Sequence, residues 1–173
     1  MKKDILKPGL NVYKHFFQMA YITTDLDQSI KIFKEFYGIE KFLVVPEPIK
    51  KEVIKGSMLV TYEVKLAFAN IGEIQLELIQ PLQDGTGCYS SLLPSSGFSQ
   101  MFHHFGCKFN DRKEWDDFRN SLDTDKHHIA FESHDSVSPF LYLDETKNLG
   151  HYVEYMWLDP EKSASLWDAI PQN

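Results

Sequence analysis

The sequence predicts an α+β fold built from two copies of one βαβββ module, and three observations carry that prediction. The stretch Gln18-Met19-Ala20-Tyr21-Ile22-Thr23-Thr24-Asp25 alternates like a strand, ends on an aspartate and runs into an amphipathic helix. His104-Phe105-Gly106-Cys107-Lys108-Phe109-Asn110-Asp111 repeats that layout. Glu77, within Ile74-Gln75-Leu76-Glu77-Leu78-Ile79, closes the first stretch, and Glu154, within Tyr152-Val153-Glu154-Tyr155-Met156, closes the second at a similar spacing. With 173 residues the chain is long enough for one domain with a substantial core and too short for two ordinary ones. The copies are therefore halves of a single domain, 1–173: module 1 at about 12–80, a linker at 81–100, module 2 at about 101–158 and a tail at 159–173.

In module 1 the helix after the first strand places Leu26, Ile30, Phe33 and Tyr37 on one face, with Thr24 or Asp25 as its cap and Gly38 at its end. Phe42 to Val45 reads as a strand stopped by Pro46 and Pro48, and the lysine-rich piece from Ile49 to Gly56 reads as a solvated loop. Val60 to Ala69 and Ile74 to Gln80 read as antiparallel strands turned at Asn70-Ile71-Gly72-Glu73. Pro81 to Gly97, rich in Gly, Ser and Pro, joins the halves; a link that long is functional or a true crossing between modules.

Module 2 repeats the order with a strand at Phe102 to Phe109 and a helix carrying Trp115, Phe118 and Leu122 after Asn110 or Asp111. Strands near His128 to Glu132, Phe140 to Leu143 and Gly150 to Leu158 follow, and Asp159-Pro160 ends the module. The tail, with Leu166, Trp167 and Ile170, reads as a short helix packed back on the body.

Composition narrows the partners. The contents, 43% hydrophobic and 25% charged, are those of a soluble globular protein. A formal net charge of −7 argues against nucleic acid or an anionic membrane surface, both of which reward clustered Lys and Arg. Cys88 in a loop and Cys107 in a strand make no disulfide framework, and Met1 to Phe17 holds no apolar run of signal-peptide length. The expectation is a reduced, cytoplasmic chain with a small-molecule substrate.

Alternation puts Gln18, Ala20 and Ile22 on one side of their strand, and groups His104 with Gly106 and Lys108, away from the helix-facing set. Gln18 and His104 thus occupy equivalent places, while His103 is expected on the opposite face in a structural role. Glu77 and Glu154 sit inside apolar strands, where an unpaired buried carboxylate costs several kcal/mol. A metal ion removes that cost; so does a salt bridge to Lys65 or Lys108. Lys108 is a candidate for holding an acidic substrate, although a lysine stem snorkelling to solvent is the commoner outcome. His127-His128-Ile129-Ala130-Phe131 precedes Glu154 too closely to open a module and reads as the sixth strand.

These residues resemble the vicinal oxygen chelate superfamily, which includes glyoxalase I, methylmalonyl-CoA epimerase, extradiol dioxygenases and bleomycin-resistance proteins. The resemblance runs through Gln18 to Leu26, Leu76-Glu77-Leu78, His103-His104 and Glu154, and covers about residues 12 to 158. It implies a mixed sheet that curls around a cleft, helices on the outer face, and a divalent metal held by Gln18, Glu77, His104 and Glu154. The set Gln, Glu, His, Glu is similar to that of one glyoxalase I branch, whereas Leu78-Ile79-Gln80-Pro81-Leu82 and the long link before the His pair are closer to methylmalonyl-CoA epimerase.

Two carboxylates, an imidazole and an amide oxygen suit Zn, Ni, Co, Mn or Fe, with positions left for water or substrate. The implied reaction is isomerase, epimerase or lyase chemistry: a proton leaves the carbon next to a polarised carbonyl, with Glu154 as base and Glu77 in second place. Non-catalytic binding of a small molecule, as in resistance proteins, is the alternative from another class, and an Fe(II) dioxygenase would have to manage with Gln18 where a histidine is usual. The resemblance leaves open a site closed within one chain or shared across a homodimer.

Overall fold

Nine strands and three helices make up the computed structural model, which describes residues 14–173. Most of the segment read for a leader, and the expected start of module 1, lie outside the described residues. In chain order the elements are β1 (Phe16–Thr23), α1 (Leu26–Tyr37), β2 (Leu43–Val44), β3 (Ile49–Lys55), β4 (Met58–Ile71), β5 (Ile74–Asp84), β6 (Gln100–Phe109), α2 (Arg112–Ser121), β7 (Ile129–Ser133), β8 (Phe140–Glu145), β9 (His151–Trp157) and α3 (Pro160–Asp168). No helix among the described residues is long and apolar enough to cross a membrane.

The strands form one curled mixed sheet that closes on itself. β1 runs parallel to β5, β5 pairs with β4 and β4 with β3. Module 2 uses the same order, with β6 parallel to β9, then β8 and β7. The halves join antiparallel at β1–β6 and, through the pair Ile54 and Glu132, at β3–β7. One core fills the inside of the curl, including Ala20, Ile22, Val53, Phe131 and Tyr142. The helices lie outside, α1 over Ala67, Leu76 and Leu78 and α2 over Cys107, Leu143, Val153 and Tyr155.

Local chemistry sets the helix ends. Asp25 accepts a 3.0 Å bond from the Gln28 amide and Asp111 a 2.9 Å bond from the Glu114 amide, so each module's helix starts on an aspartate cap. Gly38, at φ 70°, ends α1 in the left-handed conformation that glycine adopts without a Cβ penalty. The tail forms α3, whose Trp167 packs edge-on against Phe17, and the chain end bridges back to Asn70.

Three expectations need correcting. The lysine-rich piece from Ile49 is not a loop but β3, paired residue for residue with β4 from Ile49–Val64 to Lys55–Met58. Its alternation is masked because Lys51 occupies an inward position. Phe42 to Val45 contributes only the two-residue β2, and β5 continues past Pro81 to Asp84 because a bulge lies there: Glu63 pairs with Gln83 and Val64 with Pro81.

Candidate functional site

Two small residues on the inner face make room for the site. Ala20 on β1 lies opposite both Glu77 on β5 and His104 on β6, and Gly106 on β6 lies opposite Glu154 on β9. Glu77, His104 and Glu154 converge above them, with one ligand atom from each lying within 4.8 Å of the others. His104 Nε2 is 3.6 Å from Glu77 Oε2 and 3.4 Å from Glu154 Oε2. All three are buried, at 8, 0 and 6% exposure. They belong to one chain, so these three need no partner subunit to meet.

Burial sets the electrostatics of the cluster. Burial raises the Glu77 carboxyl well above its usual range, aided by the Glu154 charge, and burial takes Glu154 to about 8. Burial likewise lowers the His104 imidazole to about 3, despite two carboxyls beside it. An ion pair would push these groups the other way, toward charge; here desolvation wins at every member and a cation in their midst would change that.

The donor set fits a divalent ion. Separations of 3.4 and 3.6 Å are too long for a charge-assisted N–H···O bond, typically about 2.7–2.9 Å. Ligands held about 2.0–2.2 Å from one ion at tetrahedral angles stand roughly 3.3–3.6 Å apart. Oxygen and imidazole donors of this kind suit Zn or other first-row divalent ions.

Gln18 lies next along the inner face, at 2% exposure, with its Nε2 donating to Gln75 Oε1 at 2.6 Å. Its own Oε1 is buried without a hydrogen-bond partner and lies across Gly106, where an added Cβ would come within 2.6 Å of it. Lys108 is elsewhere: its ammonium stands over the rings of Phe17 and Trp167, at 5.3 and 5.1 Å, and lines a second cavity with Asn110, Leu158 and Ser163. The ion-pair contacts of both glutamates run to His104, not to Lys65 or Lys108.

His103 overturns its expected facing. Ala20 pairs with His104 and Tyr21 with Phe102, so His103 is an extra residue in a β-bulge. Strict alternation fails there, and both imidazoles enter the interior, Nδ1 to Nδ1 at 2.8 Å.

Sequence reasoning missed four further residues. Tyr142 brings its hydroxyl to 3.5 Å from His104 Nε2 and donates to Glu154. Tyr62 and Tyr89 line the same cavity, of about 210 Å³, along with Lys51 at Ser138; the rest of its wall includes Ile49, Val64, Leu66, Phe68 and Phe140. Tyr62 and Tyr142, in alternating strands, look like core packing, so only the two glutamates facing them mark these as site residues. Tyr89 comes from the linker, which Asp84 organises by accepting bonds from the amides of Thr86, Gly87, Tyr89 and Ser90.

No family model and no curated protein matches the sequence. Solved structures do. The methylmalonyl-CoA epimerase of Mycobacterium tuberculosis is 16% identical with a TM-score of 0.52, covering 87% of this chain and 91% of that one. A variant of the Streptomyces coelicolor methylmalonyl-CoA epimerase in complex with 2-nitronate-propionyl-CoA gives the same identity and score over 84 and 97%. A methylmalonyl-CoA epimerase in complex with methylmalonyl-CoA and NH4+ matches equally over 84 and 94%. Two βαβββ modules in one curled sheet, with the helices outside, give this chain the fold of those epimerases.

Proposed function

We propose that this chain is a metal-dependent isomerase of the epimerase type, removing a proton from the carbon next to a carbonyl. The observation that carries the reading is the trio of Glu77, His104 and Glu154, buried together without a lysine or arginine among them, with both glutamates on the wall of an otherwise largely apolar cavity. Gln18, with its unpartnered Oε1, is the fourth donor proposed for the ion. When bound, a divalent ion supplies Lewis-acid stabilisation to the oxygen on which charge develops.

The chain's own residues do the rest. Glu154 takes the α-proton, its O–H bond forming as the C–H bond breaks and the electron pair moves toward the carbonyl oxygen. Tyr142 donates a hydrogen bond to Glu154 and steers its oxygens. Glu77 is the second carboxyl able to return a proton. The apolar wall excludes water, and Lys51 at the rim offers an ammonium to an anionic substrate group. Leu158 borders both this cavity and the one beside Lys108, so a longer acidic substrate would reach Lys108 as its second anchor.

Deuterium exchange tests the reading. Cobalt-loaded protein in heavy water should exchange the α-proton of methylmalonyl-CoA or a simpler 2-substituted thioester, and Glu154→Gln should slow exchange by roughly 10²–10⁴-fold while the fold is kept. Unchanged exchange in the variant removes Glu154 from the mechanism. The apolar wall favours a second reading, sequestration of a hydrophobic ligand without chemistry; it predicts tight binding that is indifferent to metal.

A further inference from the structure

We propose that His103 is a positioning residue that fixes the tautomer of His104, so that His104 presents a bare Nε2 to Glu77 and Glu154. The proposal rests on reading that trio as a metal centre, and follows from two hydrogen bonds. His103 Nε2 is 3.0 Å from the carbonyl oxygen of Cys88. A carbonyl can only accept, so His103 carries its hydrogen on Nε2. His103 is 1% exposed and its two nitrogens are engaged by uncharged groups, so a second proton there would be a buried unpaired charge costing several kcal/mol. Its Nδ1 is therefore a lone pair, and the 2.8 Å contact requires His104 Nδ1 to be the donor. That leaves His104 Nε2 unprotonated, directed at the two carboxyls 3.4 and 3.6 Å away.

The frame holding this relay is rigid. The bulge in β6 delivers both rings to the interior, and His103 lies between Tyr89 and Tyr152, at centroid distances of 5.0 and 4.9 Å and small interplanar angles of 27 and 31°. Cys88 is set by the Asp84-organised turn, where its amide donates to Thr86 Oγ1. The linker thereby reaches the metal-facing nitrogen through one carbonyl and one imidazole. Outer partners that orient ligand histidines in this way tune affinity strongly.

Long-range proton–nitrogen correlation spectra of the metal-free full chain read the tautomers directly. The proposal expects a protonated Nδ1 and bare Nε2 on His104, with the reverse on His103. His103→Phe keeps a ring but deletes the acceptor; His104 should then move its hydrogen to Nε2, and Zn²⁺ binding should weaken about ten- to a hundredfold. His103→Asn, whose carboxamide oxygen can stand in for Nδ1, should recover most of that affinity. A hydrogen on Nε2 of His104 in the metal-free wild type overturns the relay, and so does wild-type Zn²⁺ affinity in His103→Phe. Failure of the wild type to bind Zn²⁺ would instead sink the metal reading, while the spectra would still decide the tautomer.

Discussion

In module 1, Gln18 pairs with Gln75 and, two residues on, Ala20 pairs with Glu77; in module 2, His104 pairs with Tyr152 and Gly106 with Glu154. The register is the same and the contents differ. Module 1 ties one carboxamide to another at 2.6 Å, whereas module 2 replaces the pair with an imidazole that a bulge and a second imidazole hold from behind. Each module still supplies one glutamate at the matching place. A duplicated scaffold thus fixes where side chains can meet, and a single inserted bulge decides which half does the orienting.

The sharpest way to break this comparison is to delete the equivalent residues one at a time. His104→Ala should weaken Zn²⁺ binding by more than about a hundredfold, and Gln18→Ala by about tenfold, as measured by calorimetric titration. Equal losses would make the modules equivalent after all; no loss at Gln18 would remove it from the ligand set.

The trio could be read from the sequence because a glutamate inside an apolar strand needs a cation, and because the pattern occurs twice. What alternation could not show is where it breaks. No Gly or Pro marks the bulge at His103, so a period of two placed that ring on the wrong face. Lys51 hid β3 for the opposite reason: it points inward where charge is not expected, toward a cavity that only the closed sheet creates. Pro81 looked like the end of β5, yet a proline beside a bulge does not break a ladder.

Acidity separates the two glutamates' protein-only state from their metal-bound one. Burial raises both carboxyls, Glu154 to about 8 from an ordinary 4.5, so the folded metal-free protein keeps protons that the unfolded chain has released. His103 and His104, lowered to about 3 by burial, offset this up to about pH 6.5, where the unfolded imidazoles still hold protons; stability should therefore stay about level to about pH 6.5 and then fall toward about pH 8, by on the order of a few kcal/mol. A saturating divalent ion holds the carboxylates ionised and should reverse the slope. Urea midpoints with chelator and with Zn²⁺ measure it. Glu77→Gln together with Glu154→Gln should abolish the fall above about pH 6.5 in chelator, and a fall unchanged by both substitutions would place the titrating groups elsewhere.

Packing offers a smaller test. Ala20 carries its methyl without conflict, but at the equivalent Gly106 a Cβ would lie 2.6 Å from Gln18 Oε1 and 2.9 Å from Gln18 Cβ. The tip of the glutamine can swing away; its Cβ cannot move without the strand. Gly106→Ala should destabilise the fold by about 1–3 kcal/mol in chemical denaturation, and an unchanged midpoint would mean that β1 and β6 can part more easily than their pairing suggests.

The helix caps should show the least difference between modules. Asp25 and Asp111 each accept an amide bond from the residue three positions on, at 3.0 and 2.9 Å, and both caps are solvent-accessible. Asp25→Ala and Asp111→Ala should each cost about 1 kcal/mol, because the lost bond and the lost charge at a helix N-terminus are the same in kind. α1 also ends on a left-handed glycine, whereas α2 ends on Leu122 in extended backbone, so any inequality should fall on α2, which has no such stop at its other end. Matched losses at the caps beside unmatched losses at Gln18 and His104 would assign the repeat to the scaffold and the asymmetry to the chemistry.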